Sequence, residues 1–285
     1  NFLRKKDVEM GNKDNQKSLA EYEIAERNSH YFVYGKNTVE REKFLKEIVE
    51  KHPFKFDSDE RCVIYIDDLG LPNVPKKAEN LESWAILRDA REYLEFTIAQ
   101  QILKRVNEAT PRNEEKIKEL LKDISMSEKR EFETLDEVIE CMQKSKEFYA
   151  TDYKEYLTKG TNEFARDNYE KLDIPCIFDL SRQVSDIQNK TGNKSAFQLI
   201  LDRKVKIPKV SVMAINTILN MRCNGELSAK VVCEPDEWET MTDLNGSFPE
   251  VTHDYSICEL DDTYKEFLKR KRKEFEEKWY EAERD

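Results

Sequence analysis

The run His30-Tyr-Phe-Val-Tyr-Gly-Lys-Asn-Thr-Val-Glu-Arg-Glu-Lys-Phe44 restricts the fold of this chain more than any other segment. An apolar, largely aromatic stretch from His30 to Tyr34 predicts a short buried strand, and Gly35 a tight turn. Val39, Phe44, Leu45 and Ile48 then recur at helical intervals and predict an amphipathic helix. A second apolar run, Cys62-Val-Ile-Tyr-Ile66, ends on Asp67 and Asp68 without the polar alternation of a half-solvated strand. Strands that are apolar throughout are covered on both faces, as in parallel sheets. Together the two runs predict an α/β fold.

The rest of the chain fits around that frame. Residues 1–28 are polar and charge-mixed, read as an arm leading into a short helix near Ser18–Arg27. Residues 29–79 and 170–262 carry the α/β pattern, and 80–169 interrupt it as an all-helical insertion. Within the insertion, Leu87, Leu94, Ile98, Ile102 and Val106 mark one helix and Ile117, Leu120, Leu121 and Ile124 a second. A third opens on a capping box, Thr134-Leu-Asp-Glu137. The sheet pattern returns at Ile174–Asp179, followed by a surface turn at Thr191–Ser195 and a helix at about 194–203. An apolar segment, Val212–Met221, comes next, then strands at Ala229–Cys233 and Tyr255–Leu260. Residues 263–285 form a long charged helix with Tyr264, Phe267, Leu268, Phe275 and Trp279 on one stripe. The expected architecture is a mostly parallel sheet of about five strands flanked by helices, with a helical insertion and a C-terminal helix.

Composition removes several classes of function. No stretch approaches the roughly 20 apolar residues of a membrane span, and no hydrophobic signal region opens the chain, so no membrane partner is expected. Six cysteines without a C-x-x-C pair, four of them inside apolar runs, suit a reducing, cytoplasmic setting better than a disulfide scaffold or zinc site. Seven glycines in 285 residues leave no glycine-rich dinucleotide loop. A net charge of −11 repels nucleic acid, leaving Lys269-Arg-Lys-Arg-Lys273 as the only dense basic run through which it could bind. That run adjoins Glu274, Glu276 and Glu277, and pairing along the helix makes it a solvated face. Three scattered histidines offer no hydrolytic triad.

Strand, Gly-Lys turn and helix, in that order, is the frame in which helix N-terminal amides hold anionic oxygens and a lysine neutralises them. On that reading Gly35, Lys36, Asn37 and Thr38 form the cofactor-binding loop, with Lys36 on β- and γ-phosphates and Thr38 on Mg²⁺. The full signature has an upstream glycine and a Lys directly followed by Ser or Thr. Here that glycine is absent, and Asn37 separates Lys36 from Thr38. The competing reading gives Gly35 only the turn and makes Asn37 or Thr38 the helix cap, with Glu40 and Glu42 already compensating the helix dipole. Asp67, Asp68 and Asp179 each end an apolar strand and would converge as Mg²⁺ ligands at the C-terminal edge of a parallel sheet.

The element order and these residues resemble the core of P-loop ATPases, in particular the AAA-type branch of origin-recognition initiators and signalling or defence ATPases. In that resemblance His30–Glu47 is the phosphate loop and first helix, Ile174–Asp179 the Walker B strand with Asp179 catalytic, and Ala229–Glu234 the sensor strand. It implies ATP and Mg²⁺ as ligands and a regulatory or assembly role on bacterial mobile DNA or in defence. The chain departs from the family where Leu180 stands in place of the water-polarising glutamate. A second expectation, of another class, is a protein-interaction scaffold that keeps the fold without the ligand. Trp84, Tyr93, Phe96, Tyr149, Tyr153 and Tyr156 would then supply surfaces for another protein. A third is a metal-dependent nuclease-like enzyme using Asp67, Asp68 and Asp179.

Overall fold

The computed structural model describes residues 16–72, 74, 84–159, 180–220, 226–238, 240, 242–247 and 254–282. Five strands form one sheet: β1 (His30–Tyr34), β2 (Cys62–Ile66), β3 (Phe197–Asp202), β4 (Leu227–Cys233) and β5 (Tyr255–Glu259). Their order is β2-β3-β4-β1-β5, and every pairing is parallel. The flanking helices are α1 (residues 16–25), α2 (Val39–Lys51), α3 (Trp84–Glu108), α4 (Glu114–Glu128), α5 (Leu135–Lys159), α6 (Leu180–Thr191), α7 (Lys209–Asn220) and α8 (Thr263–Ala282). The fold is α/β, with a parallel sheet between helical layers.

The strand period of two divides the core into two clusters. On one face Val33, Val63, Ile200 and Val232 pack with Leu45 and Ile48 of α2 and Ile24 of α1. On the other, Phe32, Ile64, Leu199 and Val231 join a larger cluster built from α3 to α7. That cluster takes in Leu94 and Ile98 of α3, Leu120 of α4, Met142 of α5, Val184 of α6 and Ile215 of α7. The helices of the expected insertion thus share one core with the sheet.

Several expectations change. Residues 194–203 are not a helix: Phe197–Asp202 is β3, the strand between β2 and β4. All six of its residues are buried. A short apolar run buried on both faces has no period that separates it from a buried helix segment. Arg61–Ile66, expected in the sheet interior, lies outermost among the described strands, as β2. It is still buried, since α2 and α3 cover its two faces. The turn at Thr191–Ser195 is present, closing α6 at Gly192 with φ near +69°, but it feeds β3 and not a helix. The capping box at Thr134 is half-made. Thr134 Oγ1 accepts from Glu137 N at 3.2 Å, while the Glu137 carboxylate reaches Glu133 N instead of the cap residue. The expected strand Ile174–Asp179 lies outside the described residues.

Candidate functional site

In an open parallel sheet the ligand crevice lies beyond the strand C-termini, where successive connections leave for opposite faces. Here that point is the end of β1. Its following helix, α2, packs on one face, while the helices following β2 and β3 pack on the other. Gly35 sits at this point, and its N–H donates to Cys233 O at 3.3 Å. A Cβ at Gly35 would lie 3.0 Å from Leu260 Cβ, so close approach of the β5–α8 connection explains the glycine.

The loop residues have specific partners. Lys36 N donates to Asp261 Oδ2 at 2.9 Å, and Asn37 N donates to Glu234 Oε1 at 2.9 Å. Asp261 comes from the connection after β5 and Glu234 from the end of β4, so both carboxylates arrive through sheet topology. Asn37 Nδ2 donates to Lys204 O at 2.8 Å. Thr38 is the cap of α2, its Oγ1 accepting from Arg41 N at 3.1 Å. Of the two cap candidates, Thr38 does the capping. The Lys36 side chain is exposed.

The centre of the site is Arg41, on the first turn of α2 and only 6% exposed. Its guanidinium donates to Gly35 O at 2.8 Å, to Asn37 Oδ1 at 3.1 Å and to Asp202 Oδ1 at 2.8 Å. Asp202, at the end of β3, is fully buried and also accepts from Tyr65 OH at 2.5 Å. Burial pushes the Asp202 carboxyl above its ordinary value, while the Tyr65 hydroxyl, Arg41 and Lys204 pull it back. Burial and the bond to Asp202 likewise raise the Tyr65 phenol. Beside them Lys204 Nζ bridges Glu42 at 2.8 Å and Asp67 at 2.9 Å. Hydrogen bonds from Lys204 and Lys46 hold the half-buried Glu42 carboxyl down near 2.

Two residues of the expected acidic cluster, Asp67 and Asp68, take separate partners. Asp67 pairs with Lys204, whereas its neighbour Asp68 takes Lys146 Nζ at 2.7 Å and Tyr93 OH at 3.0 Å, partners on α5 and α3. Asp179 lies outside the described residues. Among the described residues no group of three or more His, Cys, Asp or Glu is arranged to hold a metal ion. In the basic run, Arg270 pairs with Asp236, Lys271 with Glu274 at 2.9 Å and Arg272 with Glu276 at 3.0 Å. No helix among the described residues is long and apolar enough to cross a membrane.

Sequence reasoning missed Arg41, Asp202, Lys204, Glu234 and Asp261. Asp202 carried a visible signal, because Phe197-Gln-Leu-Ile-Leu-Asp202 is another apolar run ending in a carboxylate. Arg41 carried none, since an arginine in a first helical turn is ordinary until its neighbours in space are known.

No family model, curated protein or solved structure matches the chain.

Proposed function

We propose that this chain is a P-loop NTPase-like module whose phosphate position is closed by its own side chains, and that it works as a protein-interaction unit without nucleotide turnover. The observation that carries the reading is the occupation of the loop. The two amides following Gly35 already donate to Glu234 and Asp261, and Arg41 spans from the loop to Asp202. An entering phosphate needs those same amides, and it would meet two carboxylates at them. Mg²⁺ needs a free carboxylate at the sheet edge, and Asp202 is held by a guanidinium and a phenol. The residue after Asp202 is Arg203, only 2% exposed, whose guanidinium bonds Glu237 O. A guanidinium stays protonated and cannot take a proton from water, so this position supplies no general base.

Thermal unfolding with Mg-ATP, Mg-GTP and ADP tests the proposal. A ligand bound only to the folded state adds RT ln(1 + [L]/Kd), about 2.7 kcal/mol at a hundredfold excess over Kd. The expected result is no change in melting temperature for any of the three. A shift with Mg-ATP that Lys36→Ala abolishes would overturn the closed-site reading and restore a nucleotide site.

A further inference from the structure

Helix α4 ends in a row of cations that the rest of the molecule leaves unanswered. Lys118, Lys122 and Lys129 are exposed, and their Nζ atoms meet no carboxylate among the described residues. Lys116 on the same helix, by contrast, pairs with Asp57, and Lys190 of α6 with Asp123 at 2.9 Å. Acidic residues outnumber basic ones 59 to 48, so the row is not explained by a shortage of carboxylates. At about 100° and 1.5 Å per residue the three lysines lie within roughly 40° of one another and span roughly 16 Å.

The row runs beside an open groove of about 630 Å³ between α4 and the turn into α5. Its volume falls in the range of ligand sites, but a small molecule needs most of its surface enclosed, so an open groove suits a segment of chain laid along it. Leu121 and Phe132 line the groove as buried residues, and Met126 lies among the cations 62% exposed. Lys129 closes α4 in the left-handed region, at φ 54° and ψ 33°. Gly192 ends α6 in that region at φ 69°, where glycine meets no steric penalty and a lysine does. Strained backbone of this kind concentrates where a side chain is needed for binding.

We infer that this groove docks an acidic amphipathic helix of a partner protein, whose carboxylates pair with Lys118, Lys122 and Lys129 while an apolar residue beside them covers Met126. The inference names a partner class for the interaction role proposed above and rests on that role. A nucleic acid suits the groove less well. Glu131 and Glu133 also line it, and its aromatic residue, Phe132, is buried with the Arg130 guanidinium over its ring, so no face is left for a base to stack on.

The test is fluorescence anisotropy of labelled helical peptides titrated with the full chain up to about 1 mM, the range of weak docking. One peptide carries Glu at the intervals of 118, 122 and 129 with Leu beside them; the others carry Lys for Glu, or Ser for Leu. Only the Glu–Leu peptide should saturate on the wild type. Lys118→Glu with Lys122→Glu should weaken it at least tenfold and should now bind the Lys peptide, which a misfolded variant cannot do. Lys129→Gly should melt a few degrees higher than wild type, its cap relieved, and yet bind the Glu–Leu peptide more weakly. Absence of saturation, binding indifferent to the reversals or to Lys129→Gly, or a single-stranded oligonucleotide that binds in the peptide's place would each overturn the inference. None of these outcomes involves the Gly35 loop, so they leave the closed-site reading standing, whereas a Mg-ATP shift would overturn that reading without altering the peptide result.

Discussion

Replacing Arg41 with methionine keeps the aliphatic stem in its buried position and deletes the guanidinium. Asp202, fully buried, then loses one of its two hydrogen-bond partners and keeps only Tyr65. Removing one member of a buried ion pair typically costs about 3–5 kcal/mol, because the remaining charge stays desolvated. The carboxyl has an escape, which is to bind a proton, and that bounds the penalty at about 1.4 kcal/mol for each pH unit above the unfolded pKa. Burial already raises this carboxyl in the wild type, and loss of Arg41 raises it further. The folded variant therefore binds its proton more tightly than the unfolded chain. Its penalty is full above the raised folded pKa and is lost as pH falls toward the unfolded value, near 3.9. Urea unfolding should show Arg41→Met destabilised by about 3–5 kcal/mol at pH 7, recovering up to about 2.7 kcal/mol of that at pH 5. The double variant Arg41→Met with Asp202→Asn, which removes the charge and keeps an acceptor for Tyr65, should recover most of the loss at pH 7. A single variant within about 1 kcal/mol of wild type at pH 7 would refute the argument, because no buried charge would have been stranded. An equal loss at both pH values would refute it too.

Two further outcomes follow from the same physics. Thr38→Ala should cost about 1 kcal/mol in urea unfolding as a lost helix cap; an unchanged midpoint would show that the Thr38–Arg41 N bond contributes nothing. Burial, with the Glu95 charge adding to it, holds the Glu92 carboxyl up near 7. The folded chain thus binds that proton more tightly than the unfolded one, and Glu92 removes stability progressively as pH rises from about 4.5 to 7. Glu92→Gln should melt higher than wild type above pH 7 and match it near pH 4.5. A difference in melting temperature that does not vary with pH would contradict this.

The sheet was largely legible where strands are apolar throughout and bounded by turn or acidic residues. His30–Tyr34, Arg61–Ile66, Ala229–Cys233 and Tyr255–Leu260 are legible from that pattern, and strands stand at all four. The failure at Phe197–Asp202 has the same root. Full burial on both faces erases the alternation that separates strand from helix, and here no glycine or proline directly bounds the run. The loop was legible as backbone, a strand leading through Gly35 into a capped helix, because each part depends on residues close in sequence.

What fills that loop was not legible, because its partners come from across the chain. Arg41 meets Asp202 over 161 positions, Asn37 meets Glu234 over 197 and Lys36 meets Asp261 over 225. Local chemistry determined by itself that a turn with free amides would form at Gly35 and that Glu40 and Glu42 would enter the first turn of α2. Only the strand order β4-β1-β5 decided that two carboxylates would end beside those amides, since it sets the C-termini of β4 and β5 on either side of β1. Hydrogen bonds act over about 3 Å in space and carry no period along the chain. A sequence can therefore specify a strand, a turn and a capped helix, while the fold determines which groups of that turn are left free.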